Sequence, residues 1–182
     1  MEDLGEITME FGKRSRFSIE IDIDDNCGGA WLFGHICYWV AGNVVGDYDA
    51  GTSLRDVLFQ MKYIAGDRGR RNCPALMQLS ERKAFEMISA ALNETSDELY
   101  DFVTPDFMPA SLDVRIPVDV FDSWKIFLVE SSEAAKLLCF NMETSSLTSA
   151  ILSLHEFDTV FANAYEYLDL IYESHSKSDG GS

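Results

Sequence analysis

The sequence predicts an α+β fold in which helices pack on one face of a mostly antiparallel sheet. Apolar residues recur with period two near the start of the chain and again in its second half. The middle and the end show the spacing of amphipathic helices. Strands and helices thus come in separate runs, which is typical of α+β proteins. The length of 182 residues suits one domain, which we place at residues 1–173, followed by a disordered tail at 174–182.

The first predicted elements are three strands of an N-terminal meander. Residues 15–23 alternate between polar side chains and the apolar side chains of Phe17, Ile19, Ile21 and Ile23. After a turn rich in Asp, Asn and Gly, residues 31–40 are apolar on both faces, as a central strand should be. A tight turn leads to a short strand at residues 44–48, which completes an antiparallel meander.

The middle of the chain is predicted to be helical. Ser53 is the predicted N-cap of a first helix, Gly66 ends it, and its apolar positions are Leu54, Val57, Leu58, Met61 and Ile64. A second helix starts after Ser80. Ser96 is predicted to cap a short third helix that ends before Pro105.

The second half returns to strands and ends in a helix. Residues 112–118 alternate in polarity, but Pro117 restricts them to an edge strand or a broken one. Three further strands are predicted at residues 124–129, 135–142 and 147–153. From Phe157 to Tyr172 the apolar residues follow the spacing of an amphipathic helix, and the outer face of this C-terminal helix is acidic.

The charge balance is the most informative feature of the composition. The chain has 31 Asp and Glu against 14 Lys and Arg, a net charge of −17, and residues 92–182 hold 17 acidic and 4 basic side chains. Such a surface attracts basic partners and repels nucleic acid and anionic membranes, so we expect no nucleic acid and no membrane as partner. Neither a signal-peptide-like opening nor a run of about 18 apolar residues is present, which favours the cytoplasm.

Catalytic and metal-binding motifs are missing from the sequence. It contains no GxGxxG, phosphate-loop, GxSxG or HExxH pattern, so we expect no enzyme, no cofactor and no metal site. The four cysteines are scattered and read as free thiols. Two weaker interpretations stay open: a thiolate–imidazole pair of Cys37 and His35, and a calcium site at Asp22, Asp24 and Asp25.

A protein-binding surface is the stronger prediction. Acidic and aromatic side chains are interleaved between residues 97 and 122, and the candidate contacts are Tyr100, Asp101, Asp106, Phe107, Asp119 and Asp122. In interfaces, aromatic residues supply buried area, while carboxylates steer cationic partners and pair with Arg or Lys. The other interpretation is that the aromatic residues belong to the core and the acids form a solvated rim.

Four segments near the start of the chain form a pattern: Trp31-Leu32-Phe33-Gly34, Tyr38-Trp39, Gly46-Asp47-Tyr48 and Thr52-Ser53-Leu54-Arg55-Asp56. Over residues 15–66 this pattern resembles the immunity protein 42 family, one of the groups of bacterial immunity proteins encoded beside polymorphic or contact-dependent growth inhibition toxins. These motifs are structural, so we expect Trp31 and Trp39 to lie in the core and the glycines at strand turns.

The resemblance implies a cytoplasmic, non-catalytic protein that binds and neutralises a cognate toxin domain. Such toxins are often nucleases, whose basic clefts for phosphate groups an acidic protein can cover. The expected partner is therefore a basic toxin domain, bound by a monomer. From the residues alone, an acidic adaptor or chaperone-like protein for a basic client is the alternative.

Overall fold

The structure, a computed structural model, describes residues 8–179 and contains two antiparallel sheets. The first sheet is built from β1 (Thr8–Lys13), β2 (Phe17–Ile23), β3 (Phe33–Val40) and β4 (Asn43–Val45), in that order, and from β5 (Thr52–Ser53), which also pairs with β3. The second sheet is built from β6 (Trp124–Glu130), β7 (Ala134–Asn141) and β8 (Ser146–Ser153). The predicted α+β class is confirmed.

Helices and single turns of 3₁₀ helix connect and cover the sheets. The helices are α1 (Leu54–Gly66), α2 (Pro74–Met77), α3 (Glu81–Leu92) and α4 (Glu156–Asp179). The 3₁₀ turns are Gly29–Trp31, Glu98–Asp101, Pro109–Leu112 and Asp119–Phe121. Ser53 and Ser80 cap α1 and α3 as predicted, since their hydroxyl oxygens accept hydrogen bonds from the backbone N–H of Asp56 and Lys83.

The register of the first sheet decides which side chains reach the main core. Phe17 and Ile19 of β2 pair with Val40 and Tyr38 of β3, and all four side chains are buried. Helices α1 and α4 pack against this face, where Phe157 stacks on Phe17 at a ring distance of 4.8 Å. The residues between them in sequence therefore lie on the outer face of the sheet.

Strand β6 of the second sheet is buried on both faces. Ile126 and Leu128 of β6 face the main core, whereas Phe127 and Val129 face a second core built around α3. Phe85 of α3 stacks on Phe127 with a ring distance of 5.5 Å. The helix pattern of α3 and the continuous apolar run of β6 in the sequence reflect this second layer.

Several predicted elements differ from the structure. Residues 112–118 form no regular strand. The segment makes one isolated bridge, between Asp113 and Phe127, and is otherwise not paired with a sheet. The predicted third helix is only the 3₁₀ turn Glu98–Asp101, and β1 was not predicted.

The C-terminal helix is longer than the sequence predicts. It continues past residue 173 to Asp179, so residues 174–179, which we expected in a disordered tail, are helical. Hydroxyl groups within this last stretch bond back to the helix, as Ser176 does to the carbonyl oxygen of Tyr172 at 2.7 Å. The remainder of the predicted tail, residues 180–182, lies outside the described residues, as do residues 1–7.

Candidate protein-binding surface

All six candidate residues lie in the segment between α3 and β6, and the first two of them belong to its 3₁₀ turn Glu98–Asp101. Leu99 is buried and anchors the 3₁₀ turn, which leaves Tyr100 and Asp101 exposed to solvent. Phe102 and Met108 are exposed as well. The segment thus combines apolar area with carboxylates, as the sequence analysis requires of a binding surface.

Asp106 and Phe107 line a pocket of about 350 Å³ together with Arg70. The pKa of Asp106 lies below its usual value because the Thr104 side chain and the backbone donate hydrogen bonds to its carboxylate. Phe107 is half-buried and packs against the second core. Asp106 therefore offers a charge to a partner, whereas the Phe107 ring is largely committed to packing.

Asp119 and Asp122 lie at two other places. The Asp119 carboxylate accepts hydrogen bonds from the Thr52 hydroxyl at 3.0 Å and from the Val120 backbone N–H at 2.9 Å. Asp122 forms an exposed ion pair with Arg115 at 3.5 Å. The candidates thus line three separate pockets: one holds Asp106 and Phe107, a second holds Asp119, and a third holds Asp122. The structure does not bring the six candidates together in one pocket.

The outer face of the first sheet carries the histidine and cysteine singled out in the sequence. Burial, reinforced by the nearby Glu20 carboxylate, raises the pKa of the Cys37 thiol to about 12, so the thiol is protonated at neutral pH. His35 donates from Nδ1 to the Tyr48 carbonyl oxygen at 2.8 Å, and its Nε2 lies 3.4 Å from Asp24. This arrangement provides no thiolate nucleophile.

Trp39 lies on the same outer face and is half-buried, so the prediction that it belongs to the core is wrong. Its indole N–H donates to Glu20 at 2.6 Å, and the Arg14 guanidinium lies 4.2 Å from the ring centroid. The physical reason is the sheet register, which pairs Trp39 with Ser18 rather than with an inward-facing residue. Trp39 thereby covers a polar layer of Glu20 and Arg14.

The prediction that Trp31 lies in the core is also wrong, since Trp31 is 49% exposed. Its ring stacks on that of Phe33, which is 44% exposed, with centroids 6.3 Å apart and planes 4° from parallel. The Arg55 guanidinium covers the Trp31 ring at 3.7 Å. We call Trp31, Phe33 and Arg55 the aromatic stack.

A pocket of about 540 Å³ adjoins the aromatic stack. We call it the acidic pocket, and its lining includes Phe33, Gly51, Thr52, Asp56, Pro117 and Asp119. Of the candidates from the sequence, Asp119 alone belongs to it. Phe33 is odd-numbered, whereas the core face of β3 is even-numbered, and this becomes evident only when the register of β3 against β2 is known.

Two structural findings concern metals and membranes. Among residues 8–179, no three His, Cys, Asp or Glu side chains are grouped so that they could hold a metal ion, and this includes Asp22, Asp24 and Asp25. Within the same range, no helix is both long and apolar enough to cross a bilayer. All four cysteines lie in this range as buried free thiols.

Comparison with known proteins gives two matches. The family model of immunity protein 42 matches residues 9–167. The crystal structure of CdiI from Burkholderia dolosa AUO158 is similar with a TM-score of 0.67 at 20% identity, over 87% of this chain and 99% of that one. At this identity the likeness establishes a shared fold. No curated protein sequence matches the chain.

Proposed function

The chain belongs to the immunity protein 42 family, and from this we infer that it binds and neutralises a cognate bacterial toxin. The match to residues 9–167 is the observation that carries the proposal, because it takes in both sheets and the first three helices. A protein of this kind inhibits by binding and has no reaction of its own to catalyse. The protonated Cys37 thiol is in keeping with this role.

The proposed target is a basic nuclease domain, in the cytoplasm of the cell that makes the protein. Nucleases hold phosphate groups in positively charged clefts, and a net charge of −17 favours fast association with such a cleft. Covering the active site or the substrate cleft would keep nucleic acid out. A one-to-one complex of two monomers is the simplest arrangement.

The proposed contacts are Tyr100, Asp101, Asp106, Phe107, Asp119 and Asp122. For five of them the support is exposure, since Asp101, Asp106, Asp119 and Asp122 are exposed residues and Tyr100 is 49% exposed. Phe107 is half-buried and is included because it lines the same pocket as Asp106. The whole stretch from residue 97 to 122 contains seven carboxylates and one basic residue, Arg115. The net charge of this stretch is therefore −6, which favours a basic partner.

The test uses the toxin domain encoded next to the gene of this protein. We expect the toxin domain, expressed in a laboratory bacterium, to stop growth and degrade RNA or DNA, and co-expression of this protein to restore growth. The purified pair should form a complex of one copy each, measured by light scattering after gel filtration. The protein should inhibit the purified toxin at one equivalent.

The outcomes separate the parts of the proposal. Growth arrest that co-expression does not relieve would refute the immunity function. Relief without any nuclease activity of the free toxin would refute the nuclease target only. Weak binding of several unrelated basic proteins, without inhibition of this toxin, would instead support an acidic adaptor or chaperone.

A further inference from the structure

The aromatic stack is held outward by an unusual backbone. Leu32, between the two rings, is fully buried and has φ +51° and ψ +55°, in the left-handed region. For a residue with a Cβ this conformation costs about 1–2 kcal/mol. Its effect is to insert Leu32 into the core while Trp31 and Phe33 both point to solvent. Strained residues cluster at functional sites; in this chain they also occur in turns, as at Ala41.

Hydrogen bonds to the start of α1 fix this arrangement. The Ser53 hydroxyl donates to the Trp31 carbonyl oxygen at 3.1 Å, and the Leu54 backbone N–H donates to the Leu32 carbonyl oxygen at 2.9 Å. Arg55 is held over Trp31 because its Nε and Nη2 donate to Asp56 at 3.1 and 3.0 Å. Exposed rings that are already ordered lose little conformational entropy when a partner covers them.

The acidic pocket beside the stack offers a negative charge without a counter-ion. Asp119 takes its hydrogen bonds from neutral donors, and among residues 8–179 no Lys, Arg or His lies within ion-pair distance of it. Asp56 is paired with Arg55. The exposed face of Phe33 forms another part of the wall, where it can attract a cation through its π-system.

From these features we propose that the aromatic stack and the acidic pocket are the anchor point of the cognate toxin. An Arg or Lys side chain of the toxin enters the pocket between Asp119 and the Phe33 ring, and an apolar side chain of the toxin covers Trp31. The proposal rests on the proposed immunity function and locates the centre of its interface. Its chemistry is that of interface hot spots, in which Trp and Arg are enriched at the centre and water is excluded around them.

Size and charge support a protein side chain as the occupant. The volume of about 540 Å³ leaves room for a long basic side chain. The pocket is open to solvent on the same side as the stack, because Phe33 belongs to both. A basic toxin would bring the complementary charge.

The experiment uses surface plasmon resonance to measure how the purified toxin domain encoded by the neighbouring gene binds to the wild-type protein and to three variants. Trp31→Ala removes the stack, and Asp119→Asn removes the charge while an amide oxygen still accepts from Thr52 and Val120. Ile151→Ala is the matched control, since Ile151 of β8 is 54% exposed and belongs to the second sheet. Thermal unfolding of each variant verifies that it is folded.

We expect Trp31→Ala to weaken the affinity at least about thirty-fold, mainly through faster dissociation, as for a hot-spot residue. Asp119→Asn should weaken it about tenfold, and Ile151→Ala less than about twofold. A folded Trp31→Ala variant that binds within about twofold of wild type would overturn the anchor point and leave the immunity function standing.

Two other results also decide against the proposal. If the wild-type protein does not bind the toxin domain at all, the immunity function fails and the anchor point with it. If the wild-type protein is a dimer in gel filtration and Trp31→Ala is a monomer, the surface joins two copies of the chain instead.

Discussion

Replacing Arg71 by methionine tests the polar centre that joins the two halves of the fold. The Arg71 side chain is fully buried. Its Nη2 donates to the carbonyl oxygen of Ile64 at the end of α1 at 2.7 Å, and its Nε donates to that of Ser111 at 2.8 Å. Its Nη1 lies 3.4 Å from the Asp158 carboxylate in α4. One guanidinium thus connects three segments that are far apart in sequence.

The expected loss follows from what the substitution leaves behind. Methionine keeps an unbranched side chain in the cavity but donates no hydrogen bond, so two buried carbonyl groups lose their partner at about 1–3 kcal/mol each. The buried carboxylates of Asp158 and Glu130 lose their nearest buried cation. Removing one partner of a buried ion pair costs about 3–5 kcal/mol, which already includes part of these terms. We therefore expect a loss of about 3–5 kcal/mol, or roughly 6–20 °C in Tm for a chain of this size.

Urea and thermal unfolding, followed by circular dichroism, measure this loss. Arg70→Met is the control from the same loop, because the Arg70 side chain is 70% exposed and its ion pair with Asp67 spans 3.7 Å. The control should change stability by less than about 0.5 kcal/mol. Adding Asp158→Asn to Arg71→Met should recover part of the loss, since it removes a buried carboxylate that then has only the exposed Arg68 and His155 close to it. A loss below about 1 kcal/mol in Arg71→Met would refute the reasoning.

Three further predictions concern the sheet, the charge field and a buried acid. Gly34→Ala should destabilise the fold by about 1–3 kcal/mol in urea unfolding, because the new Cβ would collide with the backbone oxygen of Asp22 on β2; an unchanged midpoint would contradict this. Asp101→Lys combined with Asp106→Lys raises the net charge from −17 to −13 and should slow toxin association about tenfold at low salt, with an unchanged Tm. Equal association rates would remove both residues from the proposed surface. Burial, and then the Asp158 carboxylate, raise the pKa of Glu130 above its ordinary 4.5, so its ionisation lowers stability as the pH rises through the folded-state pKa. The stability of Glu130→Gln relative to wild type should therefore increase from pH 4 towards neutrality in urea unfolding, and a constant difference would show that Glu130 does not titrate in this way.

The regular elements could be predicted because the spacing of apolar residues along the chain distinguishes a strand from a helix. In β2 the alternation of Phe17 and Ile19 with polar residues correctly marks the face that packs into the main core, but Ser18 and Glu20 on the other face are buried as well. In α1 the spacing of Leu54, Val57 and Leu58 matches the buried stripe, and the Ser53 cap fixes where it begins. Such patterns are local, so they can be recognised without knowledge of the tertiary structure.

Residues 112–118 show where periodicity misleads. Leu112, Val114 and Ile116 are fully buried and alternate with more exposed neighbours, as the pattern indicates. Burial of alternate side chains requires only an extended backbone, whereas a strand also requires hydrogen-bonded neighbours. Val114 donates to the carbonyl oxygen of Ile126, but Pro117 has no N–H to offer. The alternation therefore predicted burial correctly and sheet pairing wrongly.

The position of the aromatic stack could not be read from its own segment. Residues 31–40 are apolar at both parities, so nothing within them says which parity faces the core. That choice is made by β2, whose odd-numbered residues face inward and pair with even-numbered residues of β3. Once this register is known, Phe33 and Trp39 must lie on the outer face. A change of register by one residue would have buried them instead.

The two kinds of surface residue act over different distances, and this bears on how the proposed complex forms. Charges such as Asp101 and Asp106 attract a basic partner over about a Debye length, ~8–10 Å, and so govern association and its salt dependence. The Trp31 ring acts only on contact and so governs dissociation. A toxin that contacted only the acidic stretch at residues 97–122 would associate fast and dissociate fast. Durable inhibition requires the partner to reach a desolvated anchor as well, and the ordered Trp31 and Phe33 rings beside Asp119 supply one on the same molecule.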